Sequence, residues 1–335
     1  MFKKYNSIEN TYREKATEQV YLHGYGNDVF VVQEKVHGAN FSFITDGNTI
    51  QVAKRTSLIA EGENFNNYEY VLNKYEKAIK ALFKLVKEDF PETEIITVFS
   101  EIFGGSYEHK EVEKIKGMTR IQKGVFYSPE NDFYAFDICL NHTQYLDVTI
   151  ANTYFETVGL LYAKTLFTGT FSECMTYPND FESSVHEWLD LPKIEDNICE
   201  GTIIKPLVSR RFGNGQRVIF KNKNEKWSEK SHVKRSKVFK ASATSILSET
   251  EKALMDVLLG YVNENRLMNV QSKLGEFSPK QTGKTIGFLA KDALEDFVKD
   301  YENDWKTVEK THQKVMTKIL NKEAANVVKE VLLFK

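Results

Sequence analysis

Val29-Phe30-Val31-Val32, then Glu34-Lys35-Val36-His37-Gly38-Ala39-Asn40, then Phe41-Ser42-Phe43-Ile44 is the stretch on which the reading of this chain turns. Two runs rich in β-branched and aromatic residues flank a polar turn, so the spacing predicts strand, turn and strand. A lysine is thereby held at the end of a strand. Gly38 permits a tight turn, and the polar residues around it are poor material for a strand interior, so the segment reads as a site displayed on a sheet. A lysine in a partly apolar cleft among other cations can shed its proton near neutral pH and become a nucleophile. Taken singly, a lysine is far more often a solvated surface charge. The residues around it have to decide.

A length of 335 residues suggests two domains, or one large domain with an appendage. A hydrophobic content of 41% allows a sizeable core, and 27% charged residues is ordinary for a soluble protein. Net charge is only −2, so a polyanionic partner has to be argued from local patches. Cys139, Cys174 and Cys199 are far apart and form no C-x-x-C pair. That argues against a zinc ribbon or a disulfide frame and predicts reduced thiols in a cytoplasm-like compartment. Met1-Phe2-Lys3-Lys4-Tyr5 leads into charged sequence, and no apolar run reaches membrane length. The expectation is a soluble, cytoplasmic protein that makes no use of a membrane.

Outward from the central stretch, residues 1–21 have mixed helical spacing and are expected to cover an edge of the first domain. Ile50 to Lys54 alternates with period two and delivers Arg55 to a strand end, where its planar fork suits a phosphate or ribose. Tyr68, Leu72, Tyr75, Ile79, Leu82 and Val86 predict an amphipathic helix between Asn67 and Phe90, ending before Pro91. Ile95 to Phe99 reads as a buried strand running into Ser100-Glu101, with Gly104-Gly105 beyond. A carboxylate leaving a hydrophobic strand just before a glycine loop suits a ribose hydroxyl. His109 to Gly124 is basic and loop-like, and is read as a solvated loop. Phe133 to Ile138 is again a strand, and 149–191 looks helical.

Glu200-Gly201-Thr202-Ile203-Ile204-Lys205-Pro206 supplies a carboxylate, a turn glycine, a short apolar strand and a lysine. In Val218 to Lys223 the alternation puts Lys221 and Lys223 on one face. Two cations there are costly together unless an anion such as a phosphate sits between them. From Asn222 to Lys240 lysines and Arg235 outnumber Glu225 and Glu229, which marks a linker and an electrostatic contact to a nucleic-acid backbone. Beyond Ser242 the patterns are helical throughout.

The pattern Lys-x-His-Gly-x-Asn at Lys35, His37, Gly38 and Asn40 resembles the nucleotidyl-transfer motif of RNA ligases, DNA ligases and mRNA capping enzymes. His37 stands where DNA ligases and capping enzymes usually carry Asp, and a helical tail stands in place of their β-barrel. The chain is therefore most similar to the bacteriophage RNA ligase 2 family. Lys35, Glu101, Phe136 with Asp137, Glu200, and Lys221 with Lys223 occur in that family's order, each at or near a predicted strand end, across almost the whole chain. Ser100 departs from it, the family more often having Gly there.

The resemblance implies an α+β fold: an N-terminal nucleotidyltransferase domain, ATP-grasp-like, of antiparallel sheets with flanking helices, plus a small all-α C-terminal domain. Its expected limits are 1–233 for the adenylyltransferase domain, 234–243 for a basic linker and 244–335 for a helical, RNA-engaging domain. It also implies an ATP-dependent RNA ligase that carries AMP covalently on Lys35 and uses Mg²⁺ or Mn²⁺. Lys35, Lys221, Lys223, His37 and Asp137 form the expected catalytic set. Glu34, Asn40, Arg55, Glu101, Phe136, Glu200 and Lys205 join the lysines in holding nucleotide, with Phe136 stacked on adenine and Glu200 nearest the metal. Arg266 and Asp292 align with tail residues that matter for sealing, and are expected to engage nucleic acid. The expected partner is RNA, either a nicked duplex or an RNA/DNA hybrid, met by a monomer in the host cytoplasm if the chain is phage-encoded. A DNA ligase, a capping guanylyltransferase and an inactive nucleic-acid-binding relative are the competing readings.

Overall fold

A computed structural model describes residues 2–230, 246–275 and 277–333. The chain divides into two compact units, Met1–Lys226 and Trp227–Lys335. The linker expected at 234–243 lies outside the described residues, and with it Lys234, Arg235, Lys237 and Lys240.

Two five-stranded sheets build the first unit. One runs in the order β1 (Glu9–Asn10), β10 (Phe220–Lys223), β9 (Gly201–Pro206), β2 (Phe30–Glu34), β8 (Thr165–Gly169). The other runs β4 (Ile50–Lys54), β3 (Ala39–Thr45), β5 (Ile96–Ser106), β6 (Ser128–Leu140), β7 (Gln144–Tyr145). Neighbouring strands are antiparallel except at the edge, where β1 pairs parallel with β10.

Period-two alternation gives each sheet two faces with different duties. On the first sheet the even-numbered Phe30, Val32, Ile204 and Phe220 turn outward and pack with Val20 of α1 (Glu14–Leu22) and Phe171 of α4 (Phe171–Met175). On the second sheet Phe41, Phe43, Val98, Phe133 and Ala135 pack with residues of α2 (Tyr68–Asp89) and α3 (Val148–Thr157). Helix α2 buries Tyr68, Val71, Tyr75, Ile79, Leu82, Phe83 and Val86, the stripe that the spacing predicts. Each such burial is worth roughly 1.5–3 kcal/mol against exposure. The helix stops at Asp89, just ahead of Phe90, which Pro91 disfavours as a helical residue.

The inner faces meet over a smaller cluster of Tyr5, Phe99, Cys139, Tyr145 and Ile219, with Phe136 and Ile203 packed against it. The interior between the sheets is therefore part apolar and part polar. The loop expected at 109–124 is tied down: the Gly104 amide donates to Gln122 Oε1 at 3.0 Å, and Asn131 both accepts from the Thr119 amide and donates to its carbonyl.

The expectation of helix across 149–191 holds for α3 and two short helices, but a strand interrupts it. Strand β8 follows α3, along with α4 and the short α5 (Val185–Trp188). Strand β8 is an edge strand whose residues are half-buried or exposed, so no apolar alternation marks it.

The second unit is helical among its described residues: α6 (Glu249–Leu259), α7 (Glu264–Leu274), α8 (Thr282–Asp300), α9 (Glu302–Thr307) and α10 (Lys310–Val328). Ser248 and Glu251 form a capping box that starts α6, and the Asn263 side chain caps α7. Leu258, Leu267, Val270, Leu289, Phe297, Met316 and Leu320 belong to its separate core.

Candidate active site

Strand β2 belongs to the first sheet and β3 to the second, so residues 35–38 carry the chain across the gap between them. Lys35 sits at that crossing. Gly38 does not adopt a positive φ. Its need for glycine is steric, because a Cβ there would lie 2.2 Å from the Ile102 carbonyl oxygen and 3.0 Å from Glu101 Cγ. The turn is thus held tight against β5.

The inward, odd-numbered face of the first sheet assembles the charged groups. The Lys35 amide donates to the Gly201 carbonyl at 2.9 Å, Gly201 pairs with Lys223 in register, and Ile203 pairs with Lys221. Gly201 has φ +137°, and a Cβ on it would meet the Asn222 carbonyl oxygen at 2.1 Å. Glu200, the residue before, is thereby set among cations. Its Oε2 accepts from Lys35 Nζ at 2.5 Å and lies 3.4 Å from His37 Nδ1, and its Oε1 pairs with Lys223 Nζ at 2.9 Å. Burial alone would raise the Glu200 carboxyl; Lys223, Lys35 and His37 outweigh it and hold the group well below the usual carboxylate range. One buried carboxylate faces three nitrogen bases, an arrangement ready for an anionic ligand.

Glu101 stands opposite Asn40 in the β3–β5 pairing, and Asn40 Nδ2 donates to the Ser100 carbonyl at 3.5 Å. Burial pushes Glu101 up, Lys35 pulls it down, Glu200 pushes it up again and Arg55 lowers it, leaving it at about 7. Arg55 therefore acts on the same carboxylate that faces Lys35. Glu101 and Glu200 supply hard oxygen donors beside the lysines, the chemistry that a Mg²⁺ or Mn²⁺ ion takes. Glu34 is buried, 1% exposed: its Oε2 accepts from the Ser184 amide at 2.9 Å while its Oε1 has no hydrogen-bond partner. Burial pushes this carboxyl up to about 7. The Tyr134 hydroxyl donates to the Glu34 carbonyl at 3.3 Å, and the His37 amide donates to the buried Tyr127 hydroxyl at 3.0 Å.

Phe136 and Asp137 share the inner side of β6 because the strand bulges there. Phe99 pairs with Asp137 and Ser100 with Ala135, leaving Phe136 as the extra residue. A bulge re-aims side chains in this way. Ser100, opposite the bulge, donates its hydroxyl to the Phe41 carbonyl at 2.9 Å, so the serine ties the two strands. Phe136 packs edge-on against Tyr5 at 5.1 Å.

Asp137 is engaged on both oxygens, by Arg217 at 2.8 and 3.3 Å, by Lys205 Nζ at 3.2 Å and by the Tyr5 hydroxyl. Burial opposes its charge, but Arg217 and Lys205 prevail and lower it to about 2. Lys205 also donates to the Phe136 carbonyl at 2.8 Å and is 2% exposed. Asp137, expected in the catalytic set, and Lys205, expected to hold nucleotide, have their charges engaged in this buried network beside Phe136. Sequence reasoning passed over Arg217, which also lies face-on to Tyr145 at 3.8 Å. A signal was available: the alternation that joins Lys223 to Lys221 continues back through Ile219 to Arg217.

In the second unit the two tail residues expected to engage nucleic acid are paired with each other. Arg266 is 1% exposed. Its Nη1 reaches Asp292 at 2.6 Å, Asp296 at 3.0 Å and Glu229 at 3.4 Å, so the guanidinium fills the place among these carboxylates that a metal would take. Asp292 pairs also with Lys273 at 2.5 Å. Arg266 thus acts on the helices rather than presenting its charge outward.

Two packed sheets with a lysine at the crossing form the frame of the candidate site. The family model described as RNA ligase matches residues 28–223, and that described as T4 RNA ligase 2 C-terminal matches residues 244–326. The chain belongs to the RNA ligase family. It is similar to the mitochondrial RNA-editing ligase 1 of Trypanosoma brucei brucei, at 28% identity over 347 residues, covering 85% of this chain and 73% of that protein. For the mitochondrial RNA-editing ligase 2 of the same organism the identity is 28%, covering 89% and 83%. A solved structure of an RNA ligase mutant from Naegleria gruberi, with ATP and Mn, aligns at TM-score 0.43 and 15% identity; the match covers 67% of this chain and 57% of that one.

Proposed function

We propose that this protein is an ATP-dependent RNA ligase that joins a 3′-hydroxyl to a 5′-phosphate, with nicked duplex RNA as its substrate. The observation that carries the reading is the triple contact of Glu200 with Lys35, His37 and Lys223 at the crossing between the sheets.

Lys35 Nζ attacks the α-phosphorus of ATP; a P–N bond forms and pyrophosphate leaves. The 5′-phosphate of the RNA then attacks the same phosphorus, releasing Lys35 and forming a phosphoanhydride. The 3′-hydroxyl finally attacks the 5′-phosphorus, the phosphodiester forms and AMP leaves. Negative charge builds on phosphorus at each step, and Lys221, Lys223 and Arg55 are the cations that answer it. Attack requires Lys35 to give up a proton. Glu200, held strongly ionised, is a poor acceptor, whereas Glu101 at about 7 has base strength near neutrality. Phe136 offers a ring face to the adenine, with Tyr5, Asp137, Arg217 and Lys205 fixing its position. A Mg²⁺ or Mn²⁺ ion held by Glu200 and the phosphates would supply further charge neutralisation.

Residues 1–233, followed by the linker 234–243, carry the adenylyl transfer and 244–335 engages RNA, the whole acting as a monomer. The free thiols of Cys139, Cys174 and Cys199 support a reducing, cytoplasm-like setting. Among the described residues no helix is long and apolar enough to cross a membrane.

The test is incubation with α-labelled ATP and Mg²⁺, followed by denaturing electrophoresis. The wild type should carry label, while Lys35→Ala should lose it entirely, and Lys35→Arg as well, because guanidinium does not deprotonate in proteins. A labelled band in either mutant would remove Lys35 from its role.

A further inference from the structure

Helix α10 carries Lys310, Lys314, Lys318 and Lys322, spaced four residues apart and all exposed. Between 310 and 322 the other exposed residues are Thr311 and Asn321, and no carboxylate stands among them. The opposite side is committed to the core through Met316, Ile319, Leu320, Ala324, Val327 and Val328. Like charges at a four-residue spacing repel and weaken a helix. Four other helix lysines have carboxylate partners: Lys80 with Glu76, Lys306 with Glu302, Lys252 with Glu249 and Lys273 with Asp292. None of the four on α10 makes such a pair among the described residues. With a rise of about 1.5 Å per residue they stand about 6 Å apart along one side, a step suited to successive phosphates of one strand.

We infer that the lysine row on α10 is a phosphate-tracking surface by which the helical unit grips the backbone of its RNA. This rests on the RNA-ligase reading and deepens it. The buried Arg266 cannot present its charge to a phosphate without leaving its carboxylates, whereas the row on α10 stands exposed. Backbone contacts of this kind position a duplex without reading its sequence.

The experiment compares the full chain with the combined Lys310→Gln, Lys314→Gln, Lys318→Gln, Lys322→Gln variant, and with Lys77→Gln, Lys84→Gln on α2 as a charge control. Affinity for a fluorescent nicked RNA duplex is measured from 50 to 200 mM salt. Each phosphate contact contributes about 0.7–0.9 to the slope of log affinity against log salt. The wild type should therefore lose about a hundredfold more affinity over this range than the α10 variant, and the control should behave as wild type. Equal slopes in the α10 variant and wild type would overturn the inference. So would equal slopes accompanied by loss of retention on immobilised polyglutamate, which would point instead to an acidic protein partner. Lysyl-AMP formation by the wild type without RNA is read separately; its absence would sink the ligase reading and leave the binding result standing.

Discussion

Glu34→Gln tests whether the residue before Lys35 is a buried, neutral carboxyl. Burial raises this group from its ordinary 4.5 to about 7, one oxygen having no hydrogen-bond partner. Below about pH 4.5 the group is protonated in both folded and unfolded chain. Between 4.5 and 7 the unfolded chain ionises while the folded one keeps its proton, so stability falls as pH rises, and above about 7 no further loss follows. At about 1.36 kcal/mol per pH unit that window amounts to about 3 kcal/mol. Glutamine keeps the shape and does not titrate. Urea unfolding of wild type and variant at pH 5 and pH 8, followed by near-ultraviolet circular dichroism, yields a double difference that cancels the pH-independent cost of the substitution. The wild type should lose about 2.5 kcal/mol more than Glu34→Gln between the two conditions, part of the window lying below pH 5. Equal losses would refute the argument, showing that water or a rearranged donor solvates Glu34.

Gly38→Ala places a methyl 2.2 Å from a backbone oxygen that cannot swing away. It should cost about 1–3 kcal/mol and abolish the labelled adduct; wild-type labelling would show that the turn has slack. Arg217→Met should cost about 3–5 kcal/mol by leaving Asp137 underpaired in the interior. Because Asp137 is held at about 2, the stability it contributes is present above its ordinary 3.8 and lost as pH falls toward 2. The variant should accordingly show a flatter acid limb between pH 4 and 2 in thermal melts, and an unchanged limb would mean that Lys205 alone holds the carboxylate.

The longer strands, the α2 stripe, the helical character of the tail and the order Lys35, Glu101, Phe136, Glu200, Lys221 were legible, whereas the edge strands β1 and β8 were not, because alternation and helical spacing are local properties that a few neighbouring residues express. Even the shared face of Lys221 and Lys223 follows from period two alone. What tertiary structure decided is which strands pair and what stands across the gap. That β2 and β3 lie in different sheets, that a one-residue bulge turns both Phe136 and Asp137 inward, and that Tyr5 and Arg217 meet Asp137 across 132 and 80 residues depend on long-range register. Arg266 makes the same point in the tail. Its spacing marks a helix-surface charge, and only the packing of α7 against α8 turns it into the buried partner of Asp292 and Asp296, since burial is set by what lies opposite a side chain and not by the residues beside it in the chain.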